Sequence, residues 1–247
     1  MLKSFSYMFK AETFWKKFFL LFAFVLISNF FVNLAGVLAP LIGRQSLWYN
    51  ICFALGYIVM FIPYGYSMDL LRTNLENKSE SAFPSMDIFK CFKEGFKVVV
   101  SSMILIISVL LIIAGLVFAS KVLSHQFGNI GFSFIYTFVF LLFLVVSFLS
   151  IAMCCRYVVK PSWLNFVNFK ASCDIINDNV GKYFGVYVLT AVLAILVAIV
   201  SVLCAFILPQ IGFVGFVLYN VVISLLWSYV IFVLARLFAS AVNYEKI

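Results

Sequence analysis

Residues 97–120 read KVVVSSMILIISVLLIIAGLVFAS, an apolar stretch whose only charge is at its first position. An α-helix needs about 20 consecutive apolar residues to cross the hydrocarbon core of a bilayer. Five similar stretches occur elsewhere in the chain. The six apolar stretches are residues 18–41, 48–71, 97–120, 132–155, 184–208 and 213–239. The sequence therefore predicts an all-α membrane bundle of six transmembrane helices, in a single integral membrane domain covering residues 1–247.

The composition excludes a soluble fold. Apolar residues make up 66% of the chain and charged residues 11%, against about 25% charged residues in soluble domains. The 31 phenylalanines are too many for one packed core, so we expect most of their rings to face acyl chains. In a soluble protein the net charge of +8 would suggest a nucleic-acid partner. None is expected here, because the basic residues lie at the ends of the apolar stretches.

Lysine and arginine are concentrated on one side of the predicted membrane. Of the 17 basic residues, only Arg44 and Lys121 fall in connections on the opposite side. The positive-inside rule assigns the side that is rich in lysine and arginine to the cytoplasm. We therefore expect a multi-pass protein of the cell membrane with both termini in the cytoplasm.

The sequence indicates neither a cleaved signal peptide nor a metal or cofactor site. The first apolar stretch is longer than the about 7–15 residues of a signal-peptide core, and Pro40 follows Ala39 directly. The six cysteines form no CxxC pair and lie where thiols stay reduced. His125 is the only histidine, and no catalytic motif is present. We expect an uncleaved first helix, no cofactor and no enzymatic activity.

Matching positions suggest a repeat. The pairs Phe9-Lys10, Phe89-Lys90 and Phe169-Lys170 recur at a constant interval, each shortly before an odd-numbered apolar stretch. Arginines recur at the ends of the even-numbered stretches, at Arg72, Arg156 and Arg236. The predicted units are residues 1–80, 81–160 and 161–247, each with one surface helix and two transmembrane helices.

The surface helices are predicted from helical periodicity on the basic side. In residues 87–97 one face holds Ile88, Phe89, Phe92 and Phe96, and the other Lys90, Lys93, Glu94 and Lys97. In residues 169–180 Phe169, Cys173, Ile176 and Val180 oppose Lys170, Asp174, Asn177 and Asp178. A third such helix is predicted near Lys3 and Lys10. Helices of this kind lie in the membrane interface or dock partner proteins.

Asp69 is the only acidic residue within the six stretches. An ionisable residue in a membrane span indicates a functional site by default. Here the apolar part of the second helix ends before Asp69, which places the carboxylate at the level of the head groups. Asp69 lies three residues before Arg72, so the favoured interpretation is an interfacial charge pair.

Uncharged polar residues form a stripe on two of the predicted helices. Asn29 and Asn33 are one turn apart in the first, and Asn220 and Ser224 are one turn apart in the last. We call these four residues the polar seam. They either pack the helices together or surround a cavity for a small or amphiphilic solute. Pro63, with Gly56 and Gly65, could bend the second helix beside such a cavity. A small-residue stripe on the fifth stretch predicts a close helix contact: Ala191, Ala194, Ala198, Ser201 and Ala205.

The second predicted unit resembles a known family. The residues concerned are Gly56-Tyr57, Asp69-Leu70-Leu71-Arg72, Phe83-Pro84-Ser85-Met86-Asp87-Ile88-Phe89 and Glu94-Gly95-Phe96-Lys97. They are similar to those of a prokaryotic family of polytopic membrane proteins, the domain-of-unknown-function family 4013, with the first three spans resembling it best. The resemblance implies a multi-span bundle and passes on no activity and no functional residue.

Two functions remain open. The first is a non-enzymatic bundle that organises anionic lipids or partner proteins, or oligomerises, at the cytoplasmic leaflet. Its expected head-group contacts are Lys90, Lys93, Lys97, Arg156 and Arg236. The second is a transporter or channel subunit that uses the polar seam of Asn29, Asn33, Asn220 and Ser224 as part of a water-accessible path.

Overall fold

The computed structural model describes residues 13–76, 83–127, 129–162, 164 and 168–242. Most of the predicted N-terminal surface helix, with Lys3 and Lys10, lies outside the described residues. The described part of the chain contains helices and no strand. The α-helices are α1 (Phe14–Ile42), α2 (Leu47–Glu76), α3 (Ile88–Phe127), α4 (Asn129–Val159), α5 (Phe169–Asn177), α6 (Val180–Ile207) and α7 (Phe213–Ala241), and a 3₁₀ turn (Leu208–Ile211) joins the last two.

Six of the described helices, all except α5, are long and apolar enough to span a membrane. Each contains one of the six apolar stretches of the sequence, except that the fifth stretch extends one residue beyond α6, to Leu208. The prediction of an all-α bundle with six transmembrane helices is therefore confirmed. The division into three repeat units stays a prediction.

Local signals set the ends of the helices. Gly43 ends α1 with a φ of 79°, and Gly212 precedes α7 with a φ of 67°, both in the left-handed region that favours glycine. Asp87 precedes α3, where its side chain accepts hydrogen bonds from the backbone N–H groups of Phe89 and Lys90. Asn168 caps α5 in the same way through the N–H of Ala171.

Helices α1, α2 and α7 pack against one another, and α3 and α4 contact the side of α2. The buried core is concentrated at the end of the bundle where α1 begins and α7 ends. There the ring of Phe232 contacts three aromatic rings from separate segments, those of Phe14, Tyr66 and Phe83. Edge-to-face ring contacts of this kind add to the packing of a core.

Glycines allow the closest approaches between helices. The hydroxyl of Ser28 on α1 donates to the carbonyl of Gly56 on α2 over 2.8 Å. A side chain at Gly65 would overlap the backbone of Cys91, and one at Gly95 would overlap the carbonyl of Phe61. The sequence interpretation assigned Gly56 and Gly65 to a bend beside Pro63. In the structure α2 is one continuous helix, and both glycines serve helix contacts.

The surface helices differ from the sequence prediction. Residues 88–97 are the first turns of α3, because no helix-breaking residue separates Lys97 from the apolar stretch that follows. Residues 169–177 do form a short separate helix, α5, but its buried residues are Ser172, Ile175 and Ile176. Phe169 and Cys173 are exposed. Helix α5 packs against α4 through its buried residues, and contact of the exposed Phe169 and Cys173 with lipid stays a prediction.

The small-residue stripe of the fifth apolar stretch forms no tight helix contact in the described chain. Ala194, Ala198 and Ala205 on α6 are exposed, and the buried residues of this helix are Tyr183, Val186 and Val197. The Tyr183 hydroxyl accepts a hydrogen bond from the N–H of Ala152 and donates one to the carbonyl of Phe148. Besides its packing against α7 and the 3₁₀ turn, helix α6 is joined to the backbone of α4 by this hydroxyl near its first turn.

Candidate functional site

One end of the bundle gathers most of the charged residues. There α1, α3 and α6 begin and α2, α4 and α7 end. Hydrogen bonds join several of these helix ends. Lys17 on α1 donates to the carbonyl of Phe83, which precedes α3, and Arg72 on α2 donates to a carbonyl at the end of α4. We call this the basic end, and its described lysines and arginines are Lys16, Lys17, Arg72, Lys90, Lys93, Lys97, Arg156, Lys160, Lys170, Lys182 and Arg236.

Asp69 is the buried centre of a charge cluster at the basic end. Its side chain is only 4% exposed, and its two oxygens lie 3.3 Å from a guanidinium nitrogen of Arg72 and 2.8 Å from the Nζ of Lys90. The structure thus brings together the Asp69 and Arg72 pair that the sequence suggested and adds Lys90 as a second cation. The ammonium of Lys90 is directed at Asp69 while its side chain is 54% exposed, and its contact with lipid stays a prediction.

Arg72 links α2 to the end of α4. Its Nε donates to the carbonyl of Val158 over 3.0 Å, while a terminal nitrogen reaches Asp69. The last carbonyls of a helix lack partners within the helix and carry a partial negative charge, so a guanidinium there is favourable. One arginine therefore fixes the positions of two helix ends relative to each other.

The other residues expected at the head groups occupy different environments. Lys93 is exposed, and Lys97 pairs with Glu94 over 2.8 Å. Arg156 is half-buried in the last turn of α4. Arg236 donates to the side-chain oxygen of Asn74 over 3.2 Å, which joins α7 to α2.

Asn74 and Lys182 belong to the same surroundings as Arg236 and were missed by sequence reasoning. Both line a cavity of about 170 Å³ together with Arg236, Ala239 and Ser240. Asn74 lies two residues after Arg72 at the end of a predicted helix, and Lys182 lies at the beginning of another. Those positions were visible in the sequence, but nothing in it indicates that they meet Arg236.

The four residues of the polar seam meet between α1 and α7. The Asn29 amide donates to the Ser224 hydroxyl over 3.0 Å, and the Asn33 amide donates to the Asn220 side-chain oxygen over 2.8 Å. The Asn220 amide in turn donates to the carbonyl of Phe216. Asn220 and Ser224 are buried. The seam residues therefore hydrogen-bond across the helix contact, as buried polar groups in a membrane bundle require.

An apolar cleft opens beside the seam, between α2 and α7. Its volume is about 310 Å³, and its lining includes Val25, Tyr64, Ser67, Cys154, Trp227 and Phe238. The walls are almost entirely hydrocarbon and aromatic, so the cleft suits an apolar chain better than a polar solute. Among the residues whose placement is described, no group of three or more His, Cys, Asp and Glu side chains is arranged to hold a metal ion.

The model of the family described as Protein of unknown function (DUF4013) matches residues 51–207, which is more than half of the chain. The chain belongs to this family. The matched part runs from the second turn of α2 to the end of α6, so it includes the residues that suggested the resemblance. It also extends beyond the first three spans and leaves out α1 and α7. Comparison with curated proteins and with solved structures found no match.

Proposed function

We propose that this multi-pass membrane protein is a non-catalytic bundle that binds anionic lipids at its basic end, on the cytoplasmic leaflet. The observation that supports this proposal is the convergence of eleven described lysines and arginines on one end of the helices. The described acidic residues at the same end are Asp69, Glu76, Asp87, Glu94, Asp174 and Asp178, so the balance is positive. Each lysine or arginine near an anionic surface contributes about 1 kcal/mol of attraction.

The surroundings of the basic end are suited to a lipid surface. Trp15 and Phe89 are exposed there, and tryptophan is a residue type that anchors proteins in the membrane interface. Lys16, Lys93 and Lys170 are exposed close to the same level. An anionic lipid would find cationic groups for its phosphate and apolar helix surfaces for its acyl chains. The cleft between α2 and α7 offers a further apolar surface within the membrane.

Native mass spectrometry of the purified chain with defined lipids tests the proposal. We expect selective adducts with phosphatidylglycerol over phosphatidylcholine. The double variant Lys93→Gln/Lys170→Gln should weaken them about tenfold, because two exposed charges that are partly screened by salt contribute about 0.7 kcal/mol each. The matched control is Arg44→Gln, which removes an exposed charge at the opposite end and should leave the adducts unchanged. Equal retention of the two lipids by the unmodified chain would refute lipid selectivity.

A transporter or channel subunit is the alternative function. The seam contacts support packing instead, because Asn29 and Asn33 bond Ser224 and Asn220 directly. The two functions are compared with the single variants Asn33→Cys and Ser224→Cys, each made in a chain from which the native cysteines have been removed. We expect neither to react with a membrane-impermeant thiol reagent. Rapid modification at both positions would favour a water-filled path along the seam.

A further inference from the structure

The cavity lined by Asn74, Lys182 and Arg236 combines two cations from different helices. Lys182 is in the first turn of α6, and Arg236 is in the last turns of α7. Ala239 and Ser240 complete the lining, so the described lining residues include no carboxylate. A small concave site with two converging cations and no acidic side chain has the electrostatics of an anion site.

The Arg236 guanidinium is held in place by the side chain of Asn74. Asn74 is buried, and its amide donates to the carbonyl of Leu70 over 2.8 Å. This bond orients the amide so that its oxygen accepts from Arg236 over 3.2 Å. A guanidinium has five N–H donors in a planar fork and matches the oxygens of a phosphate well. The Asn74 bond therefore helps to fix the orientation of the guanidinium.

Lys182 contributes the second cation of the site. Its side chain is exposed, and within the described residues its ammonium forms no ion pair. By contrast, Lys90 and Lys97 at the same end are paired with Asp69 and Glu94. The charge of Lys182 is consequently available to a ligand in the cavity, whereas the charge of those two lysines is balanced within the protein.

We propose that this cavity binds the phosphate group of one anionic lipid, with Lys182 and Arg236 as its ligands. This inference rests on the proposed function, since it assigns a specific site to the lipid within the basic end. The volume of about 170 Å³ accommodates a phosphate group but not a whole lipid. The glycerol and acyl chains would extend along the outer surface of α6, whose side chains are largely exposed and apolar.

The experiment is native mass spectrometry of the full chain in the presence of phosphatidylglycerol. It measures the affinity of the one lipid molecule that is bound most tightly. We expect Lys182→Gln to weaken that lipid at least tenfold, because a hydrogen bond between charged groups is lost. Lys170→Gln removes the same charge from the same end, outside the cavity. It should weaken binding less than about threefold, because an exposed charge that does not line the cavity acts on the lipid only through water and salt, which screen it. Since Lys182 is exposed, its substitution should not prevent folding.

The outcomes separate the two proposals. If phosphatidylglycerol is selected over phosphatidylcholine but Lys182→Gln and Lys170→Gln weaken it equally, the cavity assignment is overturned and general binding at the basic end stands. If the unmodified chain selects no anionic lipid, both proposals fall. A further arm adds inorganic phosphate in excess. If phosphate displaces the lipid from the unmodified chain but not from Lys182→Gln, the cavity is an anion site. If free phosphate also binds as tightly as the lipid, the assignment of the cavity to a lipid is overturned.

Discussion

Asp69 joins three helices through a single buried carboxylate. It lies on α2, forms an ion pair with Lys90 on α3, and contacts Arg72, which donates a hydrogen bond to the end of α4. A buried charge without partners would be strongly unfavourable, so the two cations are what make this position tolerable. The spacing of three residues was sufficient to predict Arg72 as a partner. Lys90 was not predictable, because its approach depends on how α3 packs against α2.

The contribution of Lys90 can be measured by a double-mutant cycle. We expect Lys90→Gln to lower the free energy of unfolding by about 1 kcal/mol, since a buried carboxylate oxygen loses its cation while Lys90 itself is 54% exposed and partly screened. In the background of Asp69→Asn the same change should have little effect. Unfolding in mixed detergent micelles provides the free energies.

The matched control for this cycle is Lys93→Gln, which removes an exposed charge one turn further along α3. It should change the unfolding free energy by less than about 0.5 kcal/mol in either background. If the effects of Lys90→Gln and Asp69→Asn were additive, the contact between them would contribute nothing to stability.

The contact between α2 and α3 shows how helices approach when side chains are absent. Gly65 faces the backbone of Cys91, and Gly95 faces the carbonyl of Phe61. Small residues at a membrane helix contact let the backbones come close, and van der Waals packing then holds them together. Gly65 precedes Asp69 by one turn, and Gly95 follows Lys90. The close crossing of α2 and α3 therefore also brings Asp69 and Lys90 of the charge cluster together.

A comparison of two glycines on α3 tests this contact. We expect Gly95→Ala to lower the free energy of unfolding by about 1–3 kcal/mol or more, because the added methyl group must push α2 away. Gly115→Ala is the control, since a Cβ there would meet open space. It should be neutral or stabilise the helix by up to about 1 kcal/mol. Equal effects on the unfolding free energy would show that Gly95 serves no close contact.

Similar sequence patterns on different helices have different outcomes. The polar seam on α1 and α7 forms a hydrogen-bonded contact, whereas the alanine stripe on α6 faces outward in the described chain. A stripe shows which side of a helix could pack closely, but whether it does depends on where the neighbouring helices lie. Helix α6 is attached mainly to α7 and to the 3₁₀ turn, so most of its surface remains uncovered.

At the scale of the whole molecule, the charges are distributed asymmetrically along the membrane normal. All described acidic residues and most described basic residues are at the basic end, and Arg44 lies in the connection between α1 and α2 at the other end. Charged groups are excluded from the hydrocarbon, so this asymmetry distinguishes the two faces of the bundle. The positive-inside rule then predicts which face is cytoplasmic.

Reporter fusions test this orientation. A reporter that is active only in the cytoplasm should be active when fused after Ile247 and inactive when inserted in the connection at Arg44, because that connection should lie on the far side of the membrane. A reporter that is active only outside the cytoplasm should give the opposite pattern. Activity of the cytoplasmic reporter at Arg44 would contradict the predicted orientation and with it the assignment of the basic end to the cytoplasmic leaflet.

Hydrophobicity and charge are properties of short segments, so the six spans and the clustering of cations at one end follow from the order of the residues alone. The partners of Asp69, the closing of the seam and the meeting of Lys182 with Arg236 depend on the rotation and crossing of helices that are distant in the chain. Those variables are set by the packing between helices, at points such as the close backbone contacts of Gly65 and Gly95. No local pattern encodes them, because the apolar surface of each helix could face either lipid or protein.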